Sequence, residues 1–180
     1  PMNVFSEPTW AMTLAFVALV LANTLTRLWL ASRQIRHIAQ HADAVPADFA
    51  ASVGLPEHRK AAHYSIAKLR LGLVDVAFEA LVLLGWTLLG GLQWLNETLL
   101  HLMGPGMAQQ IALVVAFVLI GGLLHLPLTL VETFGVEQRF GFNRSTPALW
   151  LADMAKGLEL GLALGVPILW VVLSLMAAGG

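Results

Sequence analysis

The sequence predicts an all-α integral membrane domain, with four transmembrane helices and a long helical first connector. Three observations carry that prediction. Of 180 residues, 58% are hydrophobic and only 12% charged, and mean hydropathy is +0.76; a typical soluble domain is about 45–50% apolar and about 25% charged. The apolar residues are gathered in blocks long enough to cross a bilayer. The basic residues fall in or beside two of the connectors and spare the rest of the chain.

A span needs about 20 mostly apolar residues. The first block runs from about Trp10 to Leu30, the second from about Leu71 to Leu95, the third from about Gln109 to Val131 and the fourth from about Gly157 to Met176. Residues 1–180 thus read as a single membrane domain. Trp10, Trp29, Trp94 and Trp150 lie near block ends, where aromatic belts sit. Before the first block Glu7 is the only charge; without a basic lead-in, and too long for a signal-peptide core, the block reads as a retained helix. The first connector, 32–70, is itself helical in pattern. RQIRHIAQHADAVPADF continues helix one until about Pro46, and LPEHRKAAHYSIAKLR runs up into helix two from about Pro56. The third connector occupies 132–156.

Orientation follows from the basic residues. Arg27, Arg33, Arg36, Arg59, Lys60, Lys68 and Arg70 lie in or beside the first connector, and Arg139, Arg144 and Lys156 in or beside the third. The N-terminal tail, the second connector (NETLLHLMGPGMA) and the C-terminus have none. Cytoplasmic loops carry the Lys/Arg excess. The expected topology places both termini outside and connectors one and three in the cytoplasm. Alanine-rich loops and the absence of cysteine favour a bacterial inner membrane. The net charge of −1 argues against nucleic acid as a partner, which selects a basic surface. With no cysteine, disulfides, thiolate metal sites and cysteine nucleophiles are excluded.

Polar groups inside spans are costly and face a bundle interior or a wet cavity. Asp75 and Glu79, four apart on one face of helix two, and His125 in helix three are therefore candidates for a chamber lining or polar network. The competing reading has Asp75 snorkel or pair with Lys68 or Arg70. Asn23 and Arg27 repeat the four-residue spacing in helix one, where Arg27 reads as an interface anchor. Pro127 and Pro167 mark expected kinks. Gly157, Gly161 and Gly165, each four apart, make a small face suited to close helix packing.

His37 and His41 have the spacing of H-E-x-x-H, in which the histidines bind zinc and the glutamate is the general base. Ile38 stands where the glutamate would be and cannot accept a proton from bound water. No phosphate-cradling loop and no nucleophile elbow occur. No catalytic and no metal residue is assigned, and no cofactor is expected in this chain.

The stretch VETFGVEQRFGFNRST (131–146), followed by PALWLADMAKGLELGLALGVPIL, resembles the CAAX prenyl endopeptidase family of integral-membrane zinc metallopeptidases. The resemblance is carried by Glu132, Phe134, Glu137, Gly141, Phe142, Asn143, Arg144 and Thr146, and by Asp153 and Lys156 in the Asp-x-x-Lys near the next helix start. AAHYSIAKLRLGLV resembles the family's run-up into its second helix through Tyr64 and Lys68. The resemblance covers the family's N-terminal half. It implies an intramembrane chamber, a cytoplasmic zinc domain with H-E-x-x-H outside this chain (in the same gene or another chain), zinc in the complete enzyme, and a peptide substrate there. This chain alone is expected to be inactive, with the gene continuing past Gly180.

Connector 132–156 is expected to brace the zinc domain against the membrane helices, with Asn143 or Ser145 capping the helix that Pro147 opens. Two rivals remain. A stand-alone scaffold or assembly subunit would have a stable partner, and a small transporter would use Asp75, Glu79 and His125 as its polar path.

Overall fold

The computed structural model describes residues 7–46, 49 and 51–179. Among them the ordered elements are helical: α1 (Glu7–His41), α2 (Leu55–Thr87), α3 (Gly91–Met103), α4 (Met107–Leu130), a π-helical segment (Val131–Glu137), α5 (Gln138–Phe140) and α6 (Pro147–Gly179). Among the described residues three helical stretches are long and apolar enough to cross a membrane: Trp10–His41, Met107–Phe140 and Pro147–Gly179. The pair α2 and α3 passes the same test jointly, bent by 51° at the break, as a broken span or a re-entrant loop does.

Local chemistry sets most of these limits. Helix α1 stops at His41, short of Pro46, and α2 starts one residue before Pro56. Proline suits a first turn because its missing N–H would be unpaired there anyway. The block expected as one span from Leu71 to Leu95 is not one continuous helix: α2 ends at Thr87 and α3 restarts at Gly91. Two glycines hidden in the apolar run make the break. Gly90 takes φ 75°, which a Cβ disfavours. At Gly91 a Cβ would lie 2.9 Å from the Gly85 carbonyl oxygen and 3.2 Å from the Trp86 ring.

Within the stretch expected as the third connector, 132–156, the chain is helical to Phe140, and α6 begins at Pro147, leaving 141–146 irregular. Pro127 lies inside α4 without ending it. The ladder widens to π geometry from Val131, a rare arrangement concentrated at functional positions.

Two compact units form. The first comprises residues up to Leu84 together with Gly135–Phe140. Its buried side chains are Ala42, Ala62 and Val76. The second comprises Gly85–Phe134 and residues from Gly141 onward. There Leu95 and Gln109 are buried. The Gln109 Nε2 amide donates to Asn96 Oδ1 at 2.8 Å, tying α4 to α3, and Trp86 meets Phe117 edge to face at 5.0 Å. Large apolar side chains otherwise stand outward: Leu19 on α1, Leu123 on α4 and Leu175 on α6 are 67–71% exposed. A water-soluble fold hides most of such surface, whereas lipid accepts it.

Candidate functional site

Tyr64 and Lys68 are four apart on α2, hence neighbours on one helix face. Glu137 ends the π-helical segment and Phe140 ends α5. Within the first unit these four side chains meet. The Tyr64 and Phe140 rings pack edge to face, centroids 5.5 Å apart. Lys68 Nζ lies 3.6 Å from Glu137 Oε1 and 5.7 Å from the Tyr64 ring centroid. The Arg139 guanidinium sits 5.9 Å from the Phe140 ring. One aromatic contact and one ion pair thus clip the polar segment after α4 onto α2. The aromatic pair contributes about 1 kcal/mol and the half-exposed ion pair no more than about 1 kcal/mol. These contacts hold the segment against α2.

The adjoining turn lies in the second unit. Gly141 has φ 78°, so it can reverse the chain without a Cβ clash. Asn143 Oδ1 accepts the Ser145 N–H at 2.7 Å, a local Asx turn. Thr146 Oγ1 accepts the Leu149 N–H at 3.2 Å. The helix cap is therefore Thr146, not Asn143 or Ser145, because the cap must directly precede Pro147 at the first helical position. Phe134 packs edge to face on Trp150 at 6.0 Å. Phe142 and Arg144 are exposed and Glu132 is half-buried. Asp153 and Lys156 form an exposed i,i+3 pair at 3.9 Å.

The three candidate chamber residues divide between the units. Glu79 accepts a 2.7 Å charge-assisted hydrogen bond from Arg27, so Arg27 does more than anchor an interface. Asn23, Thr24, Arg27 and Glu79 line an open cavity of about 100 Å³, together with the apolar Val20 and Val76. Asp75 is half-buried one turn before Glu79, and His125 is half-buried on α4 in the second unit. The sequence reading missed the Arg27–Glu79 pair: the two charges lie on different helices, and no spacing within either apolar block links them.

The histidine pair does not converge on a third ligand. Its rings lie 4.3 Å apart. His41 Nδ1 donates to the His37 carbonyl at 2.8 Å, and His58 Nε2 donates to the His41 carbonyl at 3.0 Å. Among the described residues no group of three His, Cys, Asp or Glu is placed to hold a metal, while a catalytic zinc takes three protein ligands. The residues present therefore do not fit zinc, and no step of zinc chemistry is derived for this chain.

Comparison with known proteins gives this geometry a context. A family profile described as CAAX prenyl protease N-terminal, five membrane helices, matches residues 34–180. CAAX prenyl protease 1 of Saccharomyces cerevisiae is 45% identical over 53 residues, 29% of this chain and 12% of that protein. The CAAX prenyl protease 1 homolog of Oryza sativa subsp. japonica is 40% identical over 55 residues, 31% of this chain and 13% of that protein. The crystal structure of S. mikatae Ste24p superposes with a TM-score of 0.83 at 24% identity, covering 92% of this chain and 39% of that one. At that identity the likeness is one of fold. The chain spans well under half the length of these relatives.

Proposed function

The chain belongs to the CAAX prenyl protease N-terminal family, and on that premise we propose that it is the membrane half of a zinc endopeptidase whose zinc domain lies outside it. It is an all-α integral membrane domain. Its helices form part of an intramembrane chamber, with Asp75, Glu79 and His125 supplying polar groups to the wall. The connector running from Glu132 to Lys156 braces the zinc domain. Connectors one and three face the cytoplasm and both termini face the other side. Alanine-rich connectors and the lack of cysteine support a bacterial inner membrane, whereas the relatives named above are eukaryotic.

The observation that carries this reading is the clip of Lys68 on Glu137 at 3.6 Å and Tyr64 on Phe140 at 5.5 Å. It joins the two segments that most resemble the family, from positions about 70 residues apart in the chain. A brace needs a fixed base, and this contact fixes the segment on α2 while leaving Phe142 55% exposed just beyond it. On this reading the longer protein cleaves a polypeptide: a prenylated C-terminal peptide is the class that fits the relatives' names, and in a bacterium another membrane-associated polypeptide takes its place.

A photo-activated cross-linking residue at position 142 of that longer protein tests the brace. The expected product is a cross-link to the zinc-bearing region, strong relative to one placed at Met12, which is 74% exposed on α1. Equal, background-level products from both positions contradict the proposal.

A further inference from the structure

We propose that one face of α1, where the helix leaves the bilayer, binds the phosphate of an anionic phospholipid. Trp29, Arg33, Arg36, His37 and Gln40 line a single concavity of about 430 Å³. Their spacing of four, three, one and three keeps all five on one side of the helix. The Arg33 guanidinium lies 5.6 Å from the Trp29 ring. Arg27, Arg59, Lys68 and Lys156 each face a carboxylate. Among the described residues neither Arg33 nor Arg36 does. Among the described residues no acceptor thus occupies the fork of either guanidinium, and a guanidinium fork matches a phosphate bidentately.

Depth selects the source of that phosphate. The helical stretch Trp10–His41 has 32 residues, about 48 Å at 1.5 Å each, against a hydrocarbon core of about 30 Å. Trp10 and Trp29 are about 28 Å apart along the axis by the same rise, so they fit the two interfacial belts. Arg33 then lies about 6 Å beyond Trp29 and Arg36 about 10 Å beyond it. Both side chains reach the headgroup layer, which adds about 5–7 Å on each face of the core, and their long stems can reach back toward it. The ligand is a lipid headgroup in the adjacent leaflet, not a soluble anion. His37 and Gln40 supply further polar groups for the headgroup beyond the phosphate. The inference does not depend on which side of the membrane this end occupies, nor on the peptidase reading.

Native mass spectrometry of the full-length protein in mild detergent tests the proposal, with phosphatidylglycerol, phosphatidylcholine and inorganic phosphate as probes. Phosphatidylglycerol should be retained in preference to phosphatidylcholine. Each guanidinium removed should weaken retention about fivefold, so that R33Q/R36Q loses about 25-fold. R33K/R36K, which keeps the charge, should fall between that variant and the parent. R59Q, at an already paired arginine, should match the parent. Equal retention of the two lipids, or undiminished phosphatidylglycerol in R33Q/R36Q, overturns the proposal. Displacement of the lipid by equimolar inorganic phosphate also overturns it, in favour of a soluble anion. If R33Q/R36Q does not fold, the lipid preference of the parent and the intermediate retention of R33K/R36K decide.

Discussion

Reversing the charge at Lys68 should loosen the segment after α4, and exchanging the two charges should restore it. The magnitude follows from the contact. At 3.6 Å two unit charges attract by about 1 kcal/mol in water and about 4–5 kcal/mol at an effective dielectric of 20. Lys68 and Glu137 are 40% and 30% exposed, which places the pair near the aqueous value, about 1 kcal/mol. Lys68→Glu replaces that attraction with a repulsion of similar size. The clip should then weaken by about 2 kcal/mol, or roughly 30-fold in its closed population. The assay is amide hydrogen exchange across residues 131–140 in a lipid nanodisc. Exchange should quicken up to about 30-fold in Lys68→Glu and in Glu137→Lys, because local opening sets the rate. In the exchanged double variant it should return to within a few-fold of the parent. Unchanged exchange in the single variants, or a double variant as fast as either single, would refute the clip.

Other outcomes follow from the same structure. Arg27→Met or Glu79→Gln alone leaves one charge unpaired inside an apolar span and should destabilise the domain by about 1–2 kcal/mol, read as a lower unfolding midpoint in detergent. The double variant should unfold at a higher temperature than the worse single. Thr146→Ala removes the cap of α6 and should cost about 1 kcal/mol, while Thr146→Ser stays at the parent value in the same melt. Gly141→Ala forces a side chain into φ 78° and should cost about 1–2 kcal/mol, again seen as a lower midpoint.

The residues that could be read from sequence were those whose signal is local. Pro46, Pro56 and Pro147 punctuate the chain wherever they fall, so the end of α1 and the starts of α2 and α6 lay close to where composition put them. The resemblance around 131–170 depended on consecutive residues and was equally visible. The break at Gly90 and Gly91 was hidden because WTLLGGLQWL keeps its apolar character across a change of backbone conformation. The polarity of VETFGVEQRF marked a connector but carried no sign of its conformation, and the helix continues through it to Phe140. Choosing Thr146 over Asn143 as the cap required knowing where the first helical residue lies. Arg27 with Glu79, and Tyr64 with Phe140, are pairs between distant segments. No period or motif encodes them, so their partners emerged only with the fold.

The central claim is that this chain supplies the membrane half of a peptidase whose metal site lies outside it. Zinc content and cleavage of a prenylated C-terminal peptide test that most directly. They should be measured side by side on residues 1–180 expressed alone and on the longer protein that contains them. The account predicts about one zinc per molecule, with cleavage, in the longer protein, and neither in the isolated chain. Stoichiometric zinc or cleavage in residues 1–180 alone would contradict it, and His37 and His41 would then be the first residues to replace.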